Sequence, residues 1–154
     1  MFELVTHSAQ ETRAFGEKLA GELRGGDVLL LEGELGAGKS ELARGIARGL
    51  GVAGPVPSPS FTILQVYGDG RLPLYHFDWY RLSAAEELYE LSMDEYLYDD
   101  GVSVVEWPDR AAEAVPETRL RVTIRVCGEN ERSIRLEPEG GFRALDGFAQ
   151  EVIR

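Results

Sequence analysis

The chain has 154 residues, 44% of them apolar, and a formal net charge of −11. That length suits one domain, 1–154, and that apolar share supports a packed core and excludes a disordered chain. The excess of acid argues against direct contact with the phosphate backbone of nucleic acid, although it would serve solubility equally well.

No apolar run approaches the roughly 18 residues of a membrane-spanning helix. The start, Met1-Phe2-Glu3-Leu4, lacks the basic residues and long apolar stretch of a secretory leader. Cys127 is the sole cysteine, which excludes an internal disulfide. With two histidines besides, a zinc site is not expected. The expectation is a cytoplasmic protein with no membrane partner.

Ser8-Ala9-Gln10-Glu11 reads as a capping box opening a first helix, with Thr12, Phe15, Leu19 and Leu23 on one face and Gly25-Gly26 as its end. Val28 to Leu31 is an apolar run short enough for a buried strand. Directly after it stands Gly33-Glu34-Leu35-Gly36-Ala37-Gly38-Lys39-Ser40, which satisfies G-x-x-x-x-G-K-[ST] at every fixed position. Leu42, Ala43, Ile46 and Leu50 then recur at helical spacing.

Strand, glycine loop and helix together make a phosphate cradle. The glycines let successive N–H groups turn inward, and the helix start adds the positive end of its dipole. The residues assigned to the nucleotide are therefore Glu34, Leu35, Gly36, Ala37, Gly38, Lys39 and Ser40. Lys39 is placed on the β- and γ-phosphates, and the Ser40 hydroxyl on Mg2+. Arg44 and Arg48 lie one turn apart, away from the apolar stripe; they read as a solvated face, with a partner-facing patch as the weaker alternative.

Gly51 to Ser60 is a loop by composition. Its Ser58 and Ser60 suit either a γ-phosphate contact or ordinary turn chemistry. Phe61 to Tyr67 and Leu72 to Asp78 read as an antiparallel pair around the turn Gly68-Asp69-Gly70. Alternation puts Leu74, His76 and Asp78 on one face. Asp78, at the strand end, suits either a base or water-ordering role or a turn cap paired with Arg81. His76 reads as a hydrogen-bonded core histidine.

Ser83-Ala84-Ala85-Glu86 resembles another capping box, and Asp94 to Tyr98 a further short helix. Val102 to Val105 is an apolar strand closed by Glu106, in the manner of a Walker B acid that holds Mg2+. Trp107 is either a wall of the site or a packing residue, and packing is the safer assignment. Pro108 to Ala114 follows as a short helix. Leu120 to Cys127 and Ser133 to Leu136 form a second hairpin around Gly128-Glu129-Asn130, and a last helix is expected within Phe142 to Ile153. Neither N-K-x-D nor D-x-x-G occurs, which favours ATP over GTP.

The ordered set of the glycine loop, Ser58-Pro59-Ser60-Phe61-Thr62, His76-Phe77-Asp78-Trp79-Tyr80-Arg81 and Val105-Glu106-Trp107-Pro108 resembles the TsaE family, small bacterial P-loop ATPases of tRNA threonylcarbamoyladenosine biosynthesis. The likeness runs from about Ser8 to Leu136. The family more often has Thr where Ser40 and Ser60 stand, and serine keeps the hydroxyl.

The resemblance implies an α/β, P-loop NTPase-like three-layer fold with a mixed parallel and antiparallel sheet. It implies ATP and Mg2+ as cofactors, with Lys39, Asp78 and Glu106 catalytic and Ser40 and Glu106 on the metal. The implied partners are the TsaB-like and TsaD-like subunits of the threonylcarbamoyl-transfer complex, through which tRNA would be met indirectly. A small-molecule kinase and a nucleotide-dependent adaptor are the rival readings.

Overall fold

The computed structural model describes residues 1–153. Seven strands form one sheet: β1 (Phe2–Thr6), β2 (Val28–Glu32), β3 (Leu64–Tyr67), β4 (Leu74–Asp78), β5 (Val102–Glu106), β6 (Arg119–Val126) and β7 (Arg132–Glu139). Their order is β1-β7-β6-β2-β5-β4-β3. The centre, β6-β2-β5-β4, is parallel, and β1, β7 and β3 join it antiparallel.

The central strands are apolar runs because both of their faces are covered. On one face lie α1 (Ala9–Ala20), α2 (Lys39–Gly49) and α4 (Asp146–Ile153). There Phe15, Leu19, Leu42 and Ile46 pack on Leu29, Leu31, Val104 and Val122. On the other face α3 (Glu86–Glu90) and the 3-10 segments Met93–Tyr98 and Pro108–Ala114 bring Leu88, Leu97 and Ala111 against Leu30, Phe77 and Val105. This is the three-layer, mixed-sheet architecture that the family resemblance implies.

Several boundaries differ from the sequence reading. The α1 cap forms as expected, Ser8 Oγ accepting the Glu11 N–H at 3.0 Å, but the helix ends at Ala20 and Leu23 follows in a turn. β3 starts at Leu64, because Ser60 to Ile63 form a turn in which the Ile63 N–H donates to the Pro59 carbonyl and Ile63 takes a φ of 69°. The box at Ser83 does not close on Glu86; the Glu87 carboxylate accepts the Ser83 N–H instead, and α3 begins at Glu86 without a side-chain cap. β7 runs past Leu136 to Glu139, and α4 starts at Asp146.

β1 has no counterpart in the sequence reading. It is a short edge strand with a mixed burial pattern, and it is ordered by pairing with β7 from Phe2↔Leu136 to Thr6↔Arg132. Its alternation is a weak local signal, Phe2, Leu4 and Thr6 turning inward, and pairing with a partner at the far end of the chain completes it.

α1 lies hard against α2, and Gly45 is where the backbones meet: a Cβ there would stand 2.2 Å from the Arg13 carbonyl oxygen. Gly16 and Gly49 approach the partner helix almost as closely, so the helix bearing Lys39 at its start is held backbone to backbone against α1. Gly45→Ala is expected to destabilise the fold by about 1–3 kcal/mol, through overpacking that only a helix shift relieves. In thermal unfolding that corresponds to a melting temperature lower by roughly 3–10 °C; an unchanged value would mean that the two helices separate freely.

Candidate functional site

The site forms at the carboxyl ends of β2, β5 and β4, the usual ligand crevice of an open parallel sheet. β2 delivers the glycine loop, and β5 and β4 deliver acids. Because β4 and β5 are parallel and in register, Asp78 pairs directly with Glu106. Both lie on the face covered by α2, and both are buried.

The loop's conformation explains its composition. Gly36 has φ 83° and Gly38 φ 110°, a region that other L-residues adopt only with strain. Glu34 and Leu35 form its exposed crest, while Ala37 points inward. The Ala37 N–H closes the loop's own turn on the Glu34 carbonyl at 3.0 Å. α2 begins at Lys39 with no side-chain cap, so its first-turn N–H groups face the crevice without an intrahelical acceptor. Uncapped amides and a positive helix end constitute an anion site.

Lys39 is buried. Its Nζ donates to the Gly33 carbonyl at 2.7 Å and lies 3.7 Å from the centre of the Trp107 ring. Burial pushes the ammonium below its ordinary value of 10.5, and the carboxylates of Glu106, Asp78 and Asp109 oppose that shift.

Asp78 serves the turn after β4. Its Oδ1 accepts the Tyr80 N–H at 3.0 Å, and its Oδ2 lies 3.4 Å from Ser58 Oγ and 3.3 Å from Ser60 Oγ. The two serines are themselves 3.0 Å apart, so two hydroxyl hydrogens serve three contacts. The turn-capping role weighed from sequence is therefore present. The Arg81 pairing is not: Arg81 lies over the Phe61 ring at 4.3 Å, and among the described residues no ion pair joins it to Asp78. His76 is buried and bonded to Glu106, Nε2 to Oε2 at 2.7 Å.

Trp107, left as packing by the sequence, is a wall of the site. It adopts the left-handed conformation, φ 59° and ψ 51°, between the end of β5 and Pro108. For a bulky residue that conformation costs on the order of 1–3 kcal/mol. It turns the indole under Lys39 and against Tyr80, ring centres 4.9 Å apart. Beside it opens a cavity of about 690 Å³, bounded by Glu34 and Ala37, by Trp107 to Asp109, and by Thr123 to Val126 on β6.

Arg132, unlike Trp107, was not indicated by the sequence. From the start of β7 its Nε donates to the Ala37 carbonyl at 3.0 Å, tying the loop to the far hairpin. Arg44 and Arg48 are held by neighbours on their own face: Arg44 bonds Glu41 at 2.9 Å and the Val56 carbonyl at 3.3 Å, and Arg48 stands 3.7 Å from Glu17.

These groups fit a nucleoside triphosphate with a hard divalent cation. The glycine loop, the uncapped amides and Lys39 could receive phosphates. Among the described residues no three His, Cys, Asp or Glu side chains converge as a metal cage. A cation there would take one or two protein ligands and draw the rest from phosphate and water, which is the habit of Mg2+.

Strand, glycine loop and uncapped helix at the end of a parallel sheet define a P-loop protein of the NTPase-like fold. The family model for threonylcarbamoyl adenosine biosynthesis protein TsaE matches residues 6–134. The TsaE protein of Bacillus subtilis is 44% identical over 135 residues, covering 88% of this chain and 84% of the relative. That of Streptomyces coelicolor is 47% identical over 128 residues, covering 80% and 85%. The crystal structure of Bacillus subtilis YdiB superposes with a TM-score of 0.78 at 40% identity, covering 91% of this chain and 86% of that one. The chain belongs to the TsaE family.

Two measurements probe this geometry. Because the Lys39 pKa is lowered in the fold, the native state loses that proton before the unfolded chain does. The cost of the buried ammonium is thus complete at low pH and is relieved as pH rises from the lowered value towards 10.5. The stability of wild type relative to Lys39→Met should therefore rise with pH across that window in denaturant titrations, and a pH-independent difference would refute the burial argument. Separately, Arg132→Ala is expected to weaken nucleotide binding about 3–10-fold, the loss of about one ordinary hydrogen bond's worth of support for the loop. Equal affinity by calorimetry would show that the loop holds its shape alone.

Proposed function

We propose that this chain binds ATP with Mg2+ in the crevice, hydrolyses it to ADP and phosphate slowly when alone, and serves tRNA threonylcarbamoyladenosine biosynthesis by acting on the threonylcarbamoyl-transfer complex. The observation that carries the reading is the meeting of Lys39, Asp78 and Glu106 at one end of the sheet, in a chain of the TsaE family. The TsaB-like and TsaD-like subunits are the proposed partners. With −11 net charge, the chain would leave the tRNA to them.

The residues divide the work. Gly36, Gly38 and the first turn of α2 receive phosphate oxygens, and Lys39 turns from the Gly33 carbonyl to the β- and γ-phosphates. Ser40 and Glu106 would hold Mg2+, which when bound neutralises charge on the transferring phosphate. Asp78 orients the attacking water: its two oxygens offer about four acceptor directions, and the Tyr80 amide and the two serine hydroxyls take at most three. Ser60 senses the γ-phosphate by way of that shared hydrogen-bond set. Arg81 and Arg132 each have partners of their own; slow turnover alone follows if the partner complex completes charge stabilisation.

The test is ATP turnover by the purified chain, alone and with the partner complex. Lys39→Ala should abolish it. Asp78→Ala and Glu106→Ala should lower turnover by a larger factor than they lower nucleotide affinity, each by roughly 100-fold or more in rate. Near-wild-type rates in both variants would remove those roles from Asp78 and Glu106; tRNA modification kept by both variants despite lost turnover, and lost in Lys39→Ala, would favour the adaptor reading, and phosphate appearing on a metabolite would favour the kinase.

A further inference from the structure

Glu106 is held by a residue to which the proposed chemistry gives no part. His76 stands on β4 two residues before Asp78 and on the same face. The register pairs His76 with Val104 and Asp78 with Glu106, so the imidazole reaches diagonally to the neighbouring strand's next inward residue. Nε2 lies 2.7 Å from Glu106 Oε2, with the His76 side chain 3% exposed and that of Glu106 5%.

The hydrogen can be assigned from the other nitrogen. His76 Nδ1 is buried and has no hydrogen-bond partner. A hydrogen there would be a buried donor without an acceptor, so it resides on Nε2 and the ring donates to the carboxylate. The bond occupies Oε2 and leaves Oε1 free of it. A carboxylate on a strand end otherwise rotates about its last bond; here one oxygen is pinned from the interior by a ring that packing keeps rigid.

We propose that His76 is a positioning residue: its Nε2–H fixes the Glu106 carboxylate so that Oε1 stays presented to the divalent cation. The inference rests on the reading of Glu106 as a cation ligand. It differs from a purely structural buried pair, because a structural pair affects folding and leaves the cation dependence of binding alone. Partners of this kind behind a ligand shift metal affinity by about 10–100-fold when lost.

The test uses the full chain and equilibrium binding of a fluorescent ATP analogue, titrated with Mg2+ and also measured in chelator, with melting temperatures recorded. His76→Leu removes the donor. His76→Gln places an amide nitrogen at about the same reach. His76→Leu should raise the Mg2+ midpoint about 10–100-fold while binding in chelator is unchanged, and His76→Gln should bring the midpoint back to within a few-fold of wild type. An unchanged midpoint in His76→Leu, or a His76→Gln variant no better than it, overturns the proposal. Should His76→Leu not fold, His76→Asn, whose donor falls short of Oε2, takes its place under the same criteria. Glu106→Ala separates the two levels. Retention of the wild-type midpoint in that variant removes Glu106 from the cation, and His76 then has nothing to position.

Discussion

Three charged side chains are buried at one end of this sheet, and the rest of the site is arranged around the cost of keeping them there. Lys39, Asp78 and Glu106 are each at most 5% exposed. A charge removed from water persists only with compensating partners. Lys39 has the Gly33 carbonyl, the Trp107 ring and the field of the two acids. Glu106 has His76; Asp78 has the Tyr80 amide and two serine hydroxyls. These partners come from the ends of β2, β4 and β5 and from the loop before β3, which is why the fold must be complete before the site exists.

The same arrangement accounts for the strained backbone nearby. The left-handed Trp107 would be unstable in isolation, yet its indole is fixed by Lys39, Tyr80 and the following proline. Ile63, also left-handed, belongs to the turn that brings Ser58 and Ser60 to Asp78. In both places strain is confined to segments beside the crevice, one carrying its Trp107 wall and the other the serines bonded to Asp78, and the parallel strands beneath remain regular.

Much of the fold was legible because its local signals were strong. The α1 cap, the apolar runs of β2 and β5 and the stripe on α2 appear where their patterns place them. The β4 alternation correctly set Leu74, His76 and Asp78 on one face. The missing strand, β1, is decided by pairing with the distant β7, whereas the α1 end, the Ser83 box and the start of β3 differ through local turns that hydrogen bonding chose.

For the site, the sequence by itself determined the chemical types. A strand, G-x-x-x-x-G-K-S and a helix suffice to specify a phosphate cradle, because its donors are backbone groups and one lysine within eight consecutive residues. The tertiary structure alone decided which acids face it and what holds them. Asp78 and Glu106 become neighbours through a parallel register that no local pattern encodes. Trp107 becomes a wall through one left-handed residue, and Arg132 reaches Ala37 across 95 positions of chain. Such contacts arise from the packing of the whole sheet, and so they are visible only after the chain has folded.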